Sequence, residues 1–363
     1  MTLWLIDLES VETRYTAQWK TELPNVLKKH RHSVKIISGG DTPQATTPGA
    51  FLNFGGTNVY KSKQLEIIAE AFCKGQVEQG DYFLYTDAWN PTVIQLKYMA
   101  ELLGVKIRIG GMWHAGSYDP QDFLGRLIGN KPWVRLAEQS MFECFDNNFF
   151  ASEFHVDMFI KTLLDVDPLM FDHIKSQYKQ SNKIVRTGWP MEYMANTLLT
   201  YKDMPKRNVI LFPHRIAPEK QVNIFQDLKQ HLSQYEFVVC QERQLSKNEY
   251  HNLLGEAKLV FSANLQETLG ISWYEGALVD AVPMVPDRLS YSEMALDTFK
   301  YPPEWTESYT AYETHRPQLI KRIIEYMDNY ATYIPEIKKQ ADLLTKNYFS
   351  ADTMYNSINK NNK

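Results

Sequence analysis

Residues 262–285, SANLQETLGISWYEGALVDAVPMV, set two glutamates eight positions apart, Glu267 and Glu275. The apolar run KLVFS leads into them and reads as a strand, and SWYEGALVDA reads as the helix that follows. Were all eight steps helical, the two carboxylates would stand about 80° apart around the helix. Gly270 instead predicts Glu267 in the loop and Glu275 in the first helical turn. A carboxylate at that end favours the helix dipole, which accounts for Glu275 and leaves Glu267 unexplained. Two acceptors flanking a strand-end loop suit a ligand rich in hydroxyls, such as a sugar and a ribose.

The same strand–loop–helix unit recurs upstream. VILFP (209–213) and EFVVCQ (236–241) read as strands, each followed by a helical candidate. Earlier, LWLIDL (3–8), SVKIIS (33–38), DYFLYTD (81–87) and VKIRIGG (105–111) alternate with helical stretches such as YTAQWKTELPNVLKKH and PTVIQLKYMAELLG. Strands alternating with helices imply parallel sheets with crossover helices. The polar stretch LLTYKDMPKRN divides the series. The expectation is an α/β protein of two Rossmann-like domains facing a cleft, with a linker near residues 195–207. The first domain covers residues 1–195 and the second 205–340. Residues 341–363 form a C-terminal helix and tail that crosses back to the first domain, polar and frayed at its end. Ligands of open parallel sheets bind beyond the carboxyl ends of the strands, so the functional residues belong on those loops.

Composition bounds the partners. The chain has 363 residues, 44% hydrophobic and 23% charged, with a mean hydropathy of −0.40. The start, MTLWLIDLES, has no basic region and reads as a strand, not a signal peptide. No apolar run approaches the roughly 18 residues of a membrane span. Cys73, Cys144 and Cys240 are scattered, without metal-ligand spacing, so buried thiols in a reducing cytoplasm are expected. A net charge of −4 gives no global pull toward nucleic acid or an anionic membrane.

A second stretch carries chemistry. In LFPHRIAPEKQVNIF (211–225) a strand ends, Arg215 and Lys220 follow in a loop, and a helix starts. Free backbone N–H groups, a positive helix end and two cations make an anion site suited to a diphosphate. Two solvated loop cations are the plainer alternative, and on either reading their removal should cost folding little.

At these residues the chain resembles the retaining glycosyltransferases of the GT-B fold, glycosyltransferase family 4. ETLGISWYEGA is similar to the E-x7-E motif of that family and HRIAPEK to its Arg-x4-Lys segment. The likeness runs in matching order through DYFLYTDAWNPTVIQLKYMAELLGVKIRIGGMWHAG, NNFFASEFHVDMFI and KIVRTGWPMEYM to AVPMVPD. The resemblance implies that Arg215 and Lys220 hold the diphosphate of a nucleotide sugar, a UDP-sugar favoured. Glu267 would face the transferred sugar, with the N–H groups near Thr268, Leu269 and Gly270 on its hydroxyls, and Glu275 would accept from the ribose. His114 would contact the donor sugar from across the cleft, and Asp87 and Trp89 would line the acceptor side. A lone histidine, a capping aspartate and a buried tryptophan are the plainer readings of those three.

The chain departs from that pattern. His214 stands where the family has a glycine, as an extra donor beside the diphosphate or a change in pocket shape. The glycine-rich loop after the first strand is missing, and Arg14, Ser10 or Thr13 would substitute on the acceptor side. DRLSYSEM replaces a later glycine pair. The resemblance further implies retention of configuration without a metal or other cofactor, and DVDP (165–168) falls between a helix and a loop rather than at a strand end. The acceptor is first a saccharide or small molecule. The alternative is duplex DNA with hydroxymethylated pyrimidines, held by local basic groups in KKHRHSVK and GRLIGNKPWVR. These groups would equally meet an anionic membrane. Trp89, Trp113, Tyr118 and Trp133 would stack on bases or sugars. A sugar-nucleotide-binding protein without turnover stays open, whereas a nicotinamide enzyme lacks its G-x-G-x-x-G after the first strand.

Overall fold

A computed structural model describes residues 1–10, 15–30, 33–41, 45, 52–243 and 245–360. They divide into two compact units, Met1–Pro190 with Ala351–Lys363, and Met191–Ser350.

The first unit is built on β1 (Thr2–Ile6), β2 (Ser33–Ile37), β3 (Tyr82–Tyr85), β4 (Arg108–Trp113), β5 (Asn147–Phe150) and β6 (Ile184–Arg186). They pair in parallel in the order β2-β1-β3-β4-β5-β6. The helices are α1 (Tyr15–Lys29), α2 (Phe54–Cys73), α3 (Thr92–Leu102), α4 (Phe123–Ile128), α5 (Pro132–Cys144), α6 (Glu153–Thr162) and α7 (Phe171–Gln180). Trp4, Phe83, Trp113, Phe142, Phe150 and Phe159 lie in one core, so β1, β3 and β4 are apolar without alternation, as strands covered on both faces require.

The second unit begins with α8 (Tyr193–Lys202), so residues 195–202 of the expected linker are helical. Its strands are β7 (Arg207–Phe212), β8 (Glu236–Val239), β9 (Ala257–Phe261), β10 (Val282–Pro286) and β11 (Lys300–Tyr301), parallel in the order β11-β10-β9-β7-β8. The other helices are α9 (Val222–His231), α10 (Lys247–Glu256), α11 (Ile271–Leu278), α12 (Tyr291–Met294), α13 (Tyr309–Asp328) and α14 (Tyr330–Asn347). Gly276 lets α11 lie against β9, for a Cβ there would come 2.6 Å from a Val260 methyl.

The C-terminal segment forms α15 (Asp352–Asn359) in the first unit, burying Met354, Tyr355 and Ile358, and Arg108 donates to the carbonyls of Ile358 and Lys360; the end expected to fray, residues 361–363, lies outside the described residues. Its apolar residues at 354, 355 and 358 make one helical face that the polar neighbours mask in sequence. Cys73 is exposed where a buried thiol was expected, because it closes α2 at the surface. Among the described residues no helix is long and apolar enough to cross a membrane.

Candidate functional site

The order of the second sheet sets β7 beside β9, so the connections that leave their carboxyl ends are neighbours. The β7 connection runs through Pro213, His214 and Arg215 into a single 3-10 turn, Pro218–Lys220. Gln221 then takes a left-handed conformation (φ 54°, ψ 47°) to start α9, and its side chain donates to the carbonyls of Ala263 and Thr306 at 2.6 and 2.7 Å. The β9 connection, residues 262–270, ends at Gly270, whose φ of 82° is a left-handed geometry that glycine adopts without strain. The two connections share a backbone bond, Leu265 N–H to the Glu219 carbonyl at 2.8 Å.

Lys220 and Glu267 meet here. The Lys220 ammonium donates to the Gln266 carbonyl at 2.5 Å and lies 3.4 Å from Glu267 Oε2. Asn264 Nδ2 lies 3.3 Å from the same oxygen, and the N–H groups of Thr268 and Leu269 approach Glu267 Oε1 at 3.2 and 3.4 Å. Burial pushes the Glu267 pKa up, but the Lys220 ammonium and the Leu269 N–H outweigh it and hold the carboxyl below its ordinary range. Glu267 is therefore an anion with one face given to the protein and 18% of its side chain still exposed. Lys220 is not a solvated loop cation. It is 7% exposed and tied to the opposite connection, so its removal must disturb the fold.

Arg215 is about one-third exposed and pairs with the buried Glu219 on the next turn. His214 is buried, with Nδ1 3.4 Å from the Ser272 hydroxyl. Burial first and Lys220 second push its pKa down to about 3, against Glu267 and the Phe261 carbonyl, so the ring is neutral. Glu275 is the fifth residue of α11, one place beyond the first turn, because the helix starts at Ile271. Its carboxylate accepts from the Tyr250 hydroxyl at 2.7 Å and faces Lys247 at 3.6 Å. The dipole explanation therefore gives way to two side chains of α10.

The remaining candidates lie in the first unit. His114 Nε2 is 2.6 Å from the Thr86 carbonyl, so Nε2 carries the proton; Nδ1 then accepts from the Tyr15 hydroxyl at 2.6 Å. Both ring nitrogens are thus engaged within the fold. Asp87 accepts from the Trp89 N–H at 3.0 Å, and the Trp89 indole donates to the buried Glu138 at 2.7 Å. Ser117 adds two donors to Glu138, yet burial still raises its pKa. Arg14 and Thr13 lie outside the described residues. Trp113 and Tyr118 are buried, at 0% and 5% exposure; Trp113 stacks on Phe150 and Tyr118 meets Phe159 edge-on, so neither offers a face to a base or sugar. Trp133 is exposed.

Several site residues escape the motif reading. Asn264 and Gln266 line the strand-end loop, while Tyr250 and Lys247 reach Glu275 from α10. Arg288, inside DRLSYSEM, donates to the carbonyls of Ala263 and Asn264 at 2.7 Å each and of Pro303 at 3.0 Å. The side chain thus takes over a bracing role for the site loop. Only residues 262–270 carried a local signal, a polar loop between an apolar strand and a glycine. Among the described residues no group of three or more His, Cys, Asp or Glu side chains is placed to hold a metal ion.

No family model matches the chain, and no curated protein matches it in sequence. Solved structures do match in fold. Sucrose-phosphate synthase from Thermosynechococcus elongatus aligns over 99% of this chain and 97% of its own at 10% identity, with a TM-score of 0.60. WaaG, a glycosyltransferase involved in lipopolysaccharide biosynthesis, aligns over 99% and 100% at 10% identity, with a TM-score of 0.58. The catalytic domain of starch synthase IV from Arabidopsis thaliana, bound to ADP and acarbose, aligns over 99% and 98% at 10% identity, with a TM-score of 0.57. At such identities the likeness is one of fold. The chain has the two parallel-sheet units of the GT-B glycosyltransferases.

Proposed function

We propose that the chain is a retaining glycosyltransferase that moves a sugar from a nucleotide-diphosphate sugar, a UDP-sugar by preference, to a hydroxyl of a saccharide or small molecule. One observation carries this reading. A buried lysine and an ionised glutamate meet at 3.4 Å beyond adjacent strand ends, on the two connections that a parallel sheet reserves for ligands. In this reading Lys220 and Arg215 bind the diphosphate and stabilise its charge as it leaves. Arg215 would exchange its Glu219 contact for a phosphate oxygen. Glu267 orients the sugar through its hydroxyls, and Glu275 holds the ribose in place of Tyr250 and Lys247.

The bond changes follow from those roles. The anomeric carbon parts from the diphosphate oxygen while the acceptor oxygen attaches on the same face, and the acceptor proton passes to the departing diphosphate. Catalysis is then mainly positioning and leaving-group electrostatics, with no metal required of the protein. His114, Asp87, Trp89 and Arg14 belong to the acceptor and sugar side of this proposal.

The test is a panel of nucleotide sugars, read first as thermal shift and then as nucleotide release, without and with acceptors. A donor that binds only the folded chain raises its melting temperature. Release of nucleoside diphosphate with mass gain on an acceptor hydroxyl is the expected result. Hydroxymethylated duplex DNA belongs in the acceptor panel, and labelling of its bases alone would replace the small acceptor. Binding without release under every acceptor would leave a sugar-nucleotide-binding protein in place of an enzyme.

A further inference from the structure

Beside Glu267 stands a buried amide that the stability of the fold does not explain. Asn264 is 0% exposed, on the connection that leaves β9. Its amide lies 3.3 Å from Glu267 Oε2 and 3.0 Å from the Tyr291 hydroxyl. Glu267 is ionised and can only accept, so the amide atom beside it is the nitrogen. Both hydrogens of that nitrogen are thereby used, one on the carboxylate and one on Tyr291. The other end of the amide, Oδ1, is buried without a hydrogen-bond partner. An orphaned polar atom destabilises a fold, and an apolar side chain of similar size leaves none. Stability alone therefore favours a leucine at this position.

The surroundings hold the amide in place. Arg288 donates at 2.7 Å to the carbonyl of Asn264 and to that of Ala263, which fixes the backbone of the loop. Tyr291 is 0% exposed, with its hydroxyl 3.1 Å from Ser262 Oγ. Arg288 and Tyr291 both belong to DRLSYSEM, the segment that departs from the resembling family. Lys220, the other partner of Glu267 Oε2, makes its shorter bond to the Gln266 carbonyl, at 2.5 Å against 3.4 Å. An ammonium is a point charge with rotatable donors, whereas a planar amide with one hydrogen already tied to Tyr291 offers a single direction. Asn264 therefore sets the direction of Oε2.

We propose that Asn264 is the positioning residue of Glu267, held by Tyr291 and aiming the carboxylate at the hydroxyls of the transferred sugar. This rests on the donor-site reading given above. Asn264 is fully buried, so it touches no ligand itself and acts through Glu267.

The test is Asn264→Leu in the full chain, with UDP, GDP and ADP, each free and joined to glucose, galactose or N-acetylglucosamine. Urea unfolding of the ligand-free variant should match the natural chain or exceed it, since the orphaned carbonyl is gone. By calorimetry the free nucleoside diphosphate should keep its natural affinity. The sugar conjugate should bind about tenfold more weakly, the loss of one hydrogen bond to a charged acceptor. Glu267→Gln combined with Asn264→Leu should lose no more than Glu267→Gln alone, because the amide acts through the carboxylate. Asn264→Asp keeps the test alive should the leucine variant not fold. It sets a second carboxylate beside Glu267, which raises the pKa of the pair, so on acidification the affinity for the sugar conjugate should fall at a higher pH than in the natural chain. Natural affinity for the conjugate in Asn264→Leu, an equal loss for the free nucleotide, or additive losses in the double variant would overturn the positioning role while leaving the donor site standing. Failure of the natural chain to bind any of these nucleotides or conjugates would overturn the donor reading and this inference together.

Discussion

Lys220 joins two connections through one ammonium, donating to the Gln266 carbonyl at 2.5 Å beside Glu267. Lys220→Ala strands a buried carbonyl and removes the nearest cation from an ionised carboxylate. The expected cost is about 1–3 kcal/mol of stability by urea unfolding, together with a loss of turnover on the order of a hundredfold. Natural stability in that variant would contradict the contact. Asp7 gives a second prediction, from the end of β1. It accepts from Tyr60 and from Gln64 at 3.0 Å, but burial dominates and raises its pKa from 3.8 to about 6. A carboxyl whose folded pKa is raised contributes stability fully below its unfolded pKa, and loses it as pH rises through the folded value. Asp7→Asn removes that dependence. Its stability relative to the natural chain should rise between about pH 4 and pH 7, by roughly 3 kcal/mol for a shift of about two units. A difference independent of pH would show that Asp7 does not titrate there.

At the scale of elements, the turn from β9 into α11 depends on Gly270. A Cβ there would combine a left-handed backbone with an approach of 2.4 Å to the Trp273 ring. Gly270→Ala should cost at least about 1–2 kcal/mol of stability and displace the Thr268 and Leu269 N–H groups from Glu267. Donor affinity should fall with it, and an unaffected affinity would detach this turn from the site. The same turn was legible in sequence because its signals are local: an apolar strand, a polar loop, a glycine, a helix. The helix α2 was not. Its inner face carries Thr57, Lys61 and Gln64, which bond to Glu9, the Trp89 carbonyl and Asp7, so no apolar period marks it. Glu275 was placed near its helix start, but its partners Tyr250 and Lys247 come from another helix, and such pairings leave no trace in local pattern. The Arg215–Glu219 pair was equally silent, since two opposite charges four residues apart read as a solvated turn until Glu219 is seen to be buried.

For the whole molecule, the two sheets each have their own core, and the candidate donor residues other than His114 lie in the second unit. Hydrogen exchange of the full chain with and without UDP therefore has a definite expected map. Protection should concentrate in residues 213–221 and 262–272, the connections that leave β7 and β9, because a diphosphate would occupy N–H groups and tie down Lys220. The segment 247–250 should respond as well, since a ribose taking Glu275 would release Tyr250 and Lys247, and there exchange should rise or fall with the new contacts. The interior strands β9 and β10 should change little, their amides being already bonded within the sheet. Salt gives an independent check. The net charge of −4 offers a nucleotide no general attraction, so affinity should fall modestly with ionic strength, as for the one or two cations in contact. A steep dependence, or protection confined to residues 1–190, would place the anion elsewhere and remove Lys220 and Glu267 from the donor site.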